Sequence, residues 1–348
     1  MDRPTIADLA QAAGVSISTV NRLLHATGPV RKDTIDRIVE AAERIGFYGL
    51  GAIRERSRSA LPHYRLGFLL QQSHRQWYRM IEEALGAAAR RRRDMIIEPS
   101  ILFEDDLAPE AVAANLTLLG ERCDALALIA ADHPIIGQAI EGLRAKGVPT
   151  VAYITDQSAS SRAGYVGTDN WKLGRTAAWF IQQMTFRPGR VVTFIGNHRY
   201  QCQDISDASF RSYMREHAPH ILPTDTLLTQ ENPDNAYNQV RTILTEMPDL
   251  VGIFVSGGGI SGVLRAMREQ PTDKQRGVRI VCRDMGSEAR KGLQQGLISA
   301  ALYHPLERTS DELIEIMVET IGTTDSPSII QRIIPFEIAT PESVDALL

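Results

Sequence analysis

The sequence has 348 residues, of which 43% are hydrophobic and 23% charged, with a formal net charge of −4. That length exceeds one ordinary domain, and the composition excludes a disordered chain. No run of about 18 apolar residues offers a transmembrane helix, and residues 1–5 lack the apolar core of a secretory signal. A cytoplasmic protein with no membrane partner is therefore expected. Cys123, Cys202 and Cys282 are far apart and odd in number, so they read as buried thiols rather than a disulfide framework. His25, His198, His217 and His220 have no ligand spacing, so no metal or cofactor is expected.

The charge is unevenly spread. Residues 1–60 hold nine Lys/Arg and seven Asp/Glu, or +2, against 29 and 35, or −6, in the remainder. A mildly basic head on an acidic body suits a chain that meets phosphate at one end.

Three short amphipathic segments fill that head. Ile6, Leu9, Ala10 and Ala13 share one helical face, with Thr5 and Asp8 as N-cap and acidic first turn. Gly14 stops this helix where a positive φ costs nothing. Ser16 caps a second helix that buries Val20, Leu23 and Leu24. A third runs from about Asp33, with Ile35, Ile38, Val39, Ala42 and Ile45 inward and Gly46 as its stop. Two helices across a short Gly-containing turn have helix-turn-helix geometry, the second suited to the major groove. Its outward residues are Ile17 for thymine methyls, Ser18 and Asn21 for base edges, and Arg22 for guanine or phosphate. Ser16 and Thr19 suit phosphate, and Thr5 and Arg31 complete the candidate DNA-contacting set. Periodicity alone equally allows a three-helix bundle with a solvated polar face.

The run from Thr5 to Leu24, TIADLAQAAGVSISTVNRLL, resembles the headpiece of the lactose/galactose repressor (LacI/GalR) family through its pattern T-I-x-D-L-A-x-x-A-G-V-S-x-x-T-V-x-R-L-L. Gly46-Phe47-Tyr48 continues the likeness. The resemblance implies a homodimer whose paired heads bind a roughly palindromic double-stranded operator, with effector binding in the body changing DNA affinity. The join departs from the family, because Gly49 to Arg58 lacks the usual Pro-Asn and Arg56 stands where a groove-wedging Leu belongs. Two glycines there cost about 1 kcal/mol each in a helix, so the hinge helix is expected to form weakly without DNA. Arg54, Arg56 and Arg58 are candidates for a narrow minor groove, or for plain phosphate contact from a solvated linker.

Behind Leu61-Pro62 strands alternate with helices. Strands are expected at 65–70, 95–100, 125–130, 150–154, 191–196, 251–255, 278–282 and 299–303, and helices at 77–92, 109–120, 135–146, 171–185, 234–246 and 307–321. This predicts parallel sheets with helices on both faces, as two doubly wound subdomains or one eight-stranded barrel. Leu66–Leu70, Gly147–Val151, Tyr165–Asn170 with Gly174-Arg175, and Gly296–Pro305 follow the order of the periplasmic-sugar-binding-protein fold that forms this family's body. The resemblance therefore implies an all-α headpiece (1–48), a hinge (49–61) and a two-lobed, periplasmic-binding-protein-like α/β body (62–348). Its N-subdomain would span about 62–157 and 297–324 and its C-subdomain about 162–290 and 327–348. Crossings between them are expected near 155–163, 285–297 and 322–328, with the effector in the cleft.

Carried over position by position, the family's pocket gives Trp77 and Tyr78 to stack on a sugar ring, and Asp132, His133, Asp156 and Asp284 beyond strand ends. Each also suits a core or helix-capping role. Ser206 stands where an Arg is usual, Gly257-Gly258 where Asn-Asp is usual, and Tyr303-His304 where Gln or Asp is usual. The effector class is thus open among sugars, polyols, sugar acids and sugar phosphates. Gly257–Gly262 also satisfies G-x-G-x-x-G, with Asp284 about twenty residues on, which raises a rival reading as an NAD-dependent oxidoreductase. Against it, the motif follows several βα units and no hydride-transfer set accompanies it. Its glycines instead suit close backbone approach to an anionic ligand at a helix N-terminus. A plain cytosolic sugar receptor is opposed only by residues 1–58. The sequence thus points to a repressor that performs no catalysis and responds to a small polar effector.

Overall fold

The computed structural model describes residues 3–25, 27–59, 61–323 and 328–344, with backbone alone at 57–59. The chain divides into two compact units, Met1–Tyr64 with Arg91–Glu98, and Arg65–Arg90 with Pro99–Leu348.

The first unit holds α1 (Ile6–Ala13), α2 (Ile17–His25), α3 (Lys32–Ile45) and α4 (Leu50–Ser59). Thr5 and Asp8 form the reciprocal capping box that the sequence foretold, each side chain bonded to the other's backbone N–H. Gly14 closes α1 at φ 64°, in the left-handed region that a Cβ penalises. The chain therefore turns at once into α2, where Ser16 Oγ accepts from the Thr19 N–H at 3.2 Å. Leu9, Val20, Ile38 and Ala42 make the core. The join is helical as α4, Leu50–Ser59. Ile53 is fully buried in the same core and Leu50 packs against it, so apolar burial offsets the two glycines.

The second unit carries the rest: β1 (His63–Gln71), α5 (Gln76–Arg91), β2 (Ile96–Glu104), α6 (Pro109–Gly120), β3 (Ala125–Leu128), α7 (Pro134–Ala145), β4 (Thr150–Tyr153) and β5 (Gly164–Thr168) come first. There follow α8 (Asn170–Gln183), β6 (Gly189–Ile195), α9 (Gln201–His217), β7 (Ile221–Pro223), β8 (Leu227–Leu228), α10 (Pro233–Glu246), β9 (Leu250–Val255), α11 (Ile260–Arg268) and α12 (Thr272–Gly277). The chain ends with β10 (Arg279–Arg283), α13 (Ser287–Gln294), β11 (Ala300–Tyr303), α14 (Leu306–Thr320), β12 (Ile330–Ile334) and β13 (Glu337–Ala339).

The strands form two sheets, β12-β5-β4-β3-β1-β2 and β13-β11-β10-β9-β6-β7, which excludes the single barrel. The β1–β3, β3–β4, β4–β5, β5–β12, β6–β7, β6–β8, β6–β9, β9–β10 and β10–β11 pairs are parallel, and β13 runs antiparallel to β11. The sheets define an N-lobe and a C-lobe, and the crossings between them fall later than the sequence suggested. The first lies between Thr168 and Asn170, because β5 belongs to the N-lobe sheet. The second lies at His304-Pro305, between β11 and α14. The third lies at Pro335-Phe336, and the stretch expected for it, 322–328, falls partly outside the described residues. The N-lobe thus comprises 63–168 and 306–334, and the C-lobe 170–303 with 337–339. Each displacement has its own source: β5, interrupted by Gly164 and Gly167, was not expected; β11 pairs with β10 in the C-lobe sheet rather than joining the N-lobe; and β12 was not expected.

Ile53→Ala should lower the stability of the head by about 2–4 kcal/mol, as a cavity is left in a closed core. Hydrogen exchange would register it as lost protection over α4. Unchanged protection there would show that α4 does not depend on this side chain.

Candidate functional site

Two surfaces carry chemistry. On the head, Ile17 stands 51% exposed, beside exposed Ser18 and Arg22 and half-buried Asn21, all on one side of α2. Such an apolar side chain is left in water at the start of a helix whose other apolar residues, Val20 and Leu23, are buried. Ser16 and Thr19 are already joined at 2.8 Å, and Arg22 Nη2 reaches Thr19 Oγ1 at 3.3 Å, which orients the guanidinium along the face. Arg31 stands exposed at the N-terminus of α3. Two hinge arginines are used internally: Arg54 donates to Glu43 at 2.6 Å, and Arg56 donates to the Leu23 carbonyl at 3.1 Å, at the C-terminal end of α2. In this arrangement the Arg56 cation satisfies a carbonyl near the C-terminus of α2. Arg58 lies outside the described side chains.

In the body a cavity of about 390 Å³ opens between the lobes. From the N-lobe, Trp77 and Tyr78 at the start of α5 line it, their rings 4.9 Å apart and edge to face. From the C-lobe come Tyr200, Gln203, Glu231, Ser256 to Gly259, Arg283 and Asp284. Five lining residues were foreseen, namely Trp77, Tyr78, Gly257, Gly258 and Asp284.

The other candidates are placed elsewhere. Asp132 ties the lobes together: its backbone N–H donates to the Arg199 carbonyl at 2.8 Å and its carboxylate accepts from Gln201 at 3.2 Å. His133 caps α7 through its Nδ1. Asp156 forms a two-pronged ion pair with Arg162 at 2.7 and 3.0 Å. Ser206 is fully buried and bonds the Cys202 carbonyl. Tyr303 lines a separate cavity with Met285 and Ile338. A carboxylate or imidazole beyond a strand end has caps and ion pairs within reach, and in these cases they take it.

What sequence reasoning missed is an interlocked polar set. Arg75 Nη1 donates to Glu231 Oε2 across the cleft at 2.7 Å and to Gln72 Oε1 at 2.8 Å. Glu231, only 5% exposed, also accepts from Gln203 Nε2 at 2.9 Å and from the Gly258 N–H at 3.1 Å. Gln71 Oε1 accepts from Tyr78 on its own lobe at 2.9 Å and from Tyr200 on the other at 3.0 Å. Burial pushes both phenols above their ordinary pKa, so each remains a donor. Ser256 Oγ is buried in the lining without a hydrogen-bond partner, a polar atom left for a ligand. Arg283 reaches the Cys202 carbonyl at 2.9 Å and Ser206 Oγ at 3.5 Å. A guanidinium from β10 thus occupies the neighbourhood where the family pattern puts one at position 206.

The glycine-rich loop is not a phosphate cradle. A Cβ at Gly258 would strike the Glu231 carboxylate, and Gly259 has φ +118°. The backbone approaches a carboxylate of the chain itself, so the anion expected at the start of α11 is already present. The Gly258 N–H that a dinucleotide or another anionic ligand would use is taken by Glu231.

Asp284, also at positive φ, bonds His304 Nδ1 at 2.5 Å. Burial alone would raise the Asp284 pKa, but the hydrogen bonds donated by His304 and the charge of Arg283 outweigh it and hold the carboxyl below its usual range. Burial lowers the His304 pKa, and Arg283 adds to this against the pull of Asp284. The imidazole is therefore neutral at pH 7.

A head that presents one helix by a tight turn, on a two-lobed body with a polar cleft, has the architecture of a ligand-responsive DNA-binding regulator. Comparison with known proteins gives the same division: residues 5–49 match the bacterial regulatory proteins of the lacI family, and residues 66–322 match the periplasmic binding protein domain. The chain belongs to the periplasmic binding protein domain family through its body and, with its lacI-family head, is a DNA-binding transcription regulator. It is 25% identical over 292 residues to the HTH-type transcriptional regulator GalR of Lacticaseibacillus casei, covering 80% of this chain and 81% of that protein. Among solved structures, GanP, a glucose-galactose binding protein from Geobacillus stearothermophilus, matches at a TM-score of 0.72 and 18% identity, over 82% of this chain and 99% of that one. An ABC transporter solute binding protein from Agrobacterium vitis, bound with α-D-tagatopyranose, also reaches 0.72, at 17% identity over 81% and 96%. These likenesses establish the fold.

The sign of the His304 shift fixes a pH dependence. Its folded pKa lies below the ordinary 6.5, so its contribution to stability is whole above about pH 6.5 and declines as acid is added. The Asp284 contribution, with a depressed pKa, is whole above about pH 4 and is lost only at lower pH. The melting temperature should fall between pH 7 and 5, and His304→Gln should fall less. Parallel curves for the two proteins would contradict the neutral imidazole.

Proposed function

We propose that this protein is a cytoplasmic, homodimeric repressor whose operator affinity is set by a neutral sugar or polyol held between the lobes. The observation that carries the ligand class is the charge balance of the cleft. Arg75 is paired with Glu231, and Asp284 lies among Arg283 and His304, so no formal charge is left for an ionic ligand to neutralise. What is left is the ring face of Trp77, the Ser256 hydroxyl and the unused lone pairs of Asp284, which suit a molecule with one apolar ring face and several hydroxyls. The relatives point the same way, since two of the similar structures are described as glucose-galactose binding and as bound with tagatose. The protein acts by binding alone, and ligand changes DNA affinity only by its unequal affinity for two lobe closures.

Two heads are needed because one recognition helix reads too few base pairs, and a two-fold dimer supplies a second at fixed spacing. Ile17, Ser18, Asn21 and Arg22 read bases, while Thr5, Ser16, Thr19 and Arg31 hold phosphate and fix register. No helix among the described residues is long and apolar enough to cross a membrane, in keeping with the proposed location.

Two measurements test this reading. In a thermal-shift panel, D-glucose, D-galactose, D-tagatose or D-allose should stabilise the protein by about 2–3 kcal/mol at a hundredfold excess over Kd, and Trp77→Ala should remove the shift. Stabilisation by glucose 6-phosphate or gluconate but by no neutral sugar would overturn the assignment. For the head, Arg22→Ala should weaken binding to a selected duplex by about 1–3 kcal/mol, read as an anisotropy midpoint roughly fivefold or more higher. An unmoved midpoint would remove Arg22 from the interface.

A further inference from the structure

The three segments that join the lobes converge on one buried imidazole. His304 is where the chain leaves β11 for α14, and it is 2% exposed. Its Nδ1 lies 2.5 Å from Asp284 Oδ1, and its Nε2 lies 3.2 Å from both Thr168 Oγ1 and Arg283 Nη2. Thr168 ends β5 at the first crossing. Its register partner is Ile334, which ends β12 at the third. One side chain thus bonds the first and second crossings directly and reaches the third through a single strand pair.

The donors and acceptors around the ring are fixed by chemistry. A carboxylate only accepts and a guanidinium only donates, so Nδ1 carries the proton and Nε2 the lone pair. The ring has a donor edge toward the cleft and an acceptor edge toward the hinge. Asp284, its cleft-side partner, lines the effector cavity and is held at φ +64°, a conformation costly for a residue other than glycine. That strain is maintained by surrounding bonds, among them the Asp284 N–H to the Leu302 carbonyl at 2.9 Å.

We propose that His304 is a positioning residue of the effector response, tying the Asp284 carboxylate in the cleft to Thr168 at the hinge so that carboxylate orientation and lobe angle change together. The proposal rests on the cleft being the effector site. A ligand hydroxyl that bonds Asp284 turns the carboxylate, and the imidazole turns with it because both of its bonds are directional. The Thr168 contact then alters where the chain leaves the N-lobe. A purely structural histidine would add stability without coupling these positions.

The test measures the lobe angle directly. Nitroxides on Leu118→Cys and Phe186→Cys, exposed on the N- and C-lobes, report inter-lobe distance by electron double resonance, and the three native cysteines are buried. The labelled full-length chain is diluted into unlabelled chain, so that only distances within one protomer are read. Thr168→Val and His304→Leu should each broaden the distance distribution about twofold or more, and the double variant should be no broader than His304→Leu alone. His304→Gln, whose amide supplies both a donor and an acceptor, should keep a narrow distribution. Unchanged widths, or additive broadening in the double variant, would overturn the proposal. These readings need no sugar, so a protein that broadens as expected yet is stabilised by none of the panel sugars would sink the effector assignment and leave the hinge role standing.

Discussion

A charge taken out of water must find its opposite, and in this body the most consequential pair is split between two lobes. Arg75 belongs to one and Glu231 to the other, and they meet at 2.7 Å with Glu231 almost wholly buried. Removing one partner of such a pair strands the other, at a cost of about 3–5 kcal/mol. The pair spans the cleft, so separating the lobes at this point would break it. The same carboxylate takes a backbone N–H of the glycine-rich loop before α11, where a helix N-terminus would otherwise attract an anion. The chain thus places its own carboxylate at that helix start.

A response also needs a path from cleft to DNA. Within the body, the crossings at Thr168, His304 and Pro335 are short, and the first two are bonded through one imidazole. Beyond it, α4 ends at Ser59 and β1 begins at His63, so few residues separate the hinge helix from the N-lobe sheet. Because Ile53 docks α4 in the headpiece core, that helix belongs to the head rather than to a slack linker.

The head was almost fully legible in the sequence because its signals are local. A capping box, a left-handed glycine and a 3.6-residue apolar period each lie within one or two turns of chain, and Thr5, Gly14 and Val20 do what their spacing foretold. Most strands were legible as short apolar runs, but β5, interrupted by two glycines, was not, which displaced the first crossing, while the lobe of β11 and the presence of β12 depend on pairings between distant segments. The cleft was legible only in part. Trp77 and Asp284 sit beside strand ends in recognisable positions, whereas Arg75–Glu231 joins residues 156 apart in the chain, a pairing that no local pattern encodes. The bonds of Arg54 to Glu43 and of Arg56 to the Leu23 carbonyl were not legible either, because they join residues 11 and 33 apart that meet only once α4 packs on the head.

The most direct test of the account is one titration. A duplex selected by the intact protein from a random pool is labelled, and its affinity is measured with and without the neutral sugar that most stabilises the protein, for wild type and Trp77→Ala. The account predicts that the sugar shifts the wild-type DNA affinity by about fivefold or more, while the variant binds the duplex equally well and ignores the sugar. A wild-type affinity unchanged by a sugar that occupies the cleft would contradict it.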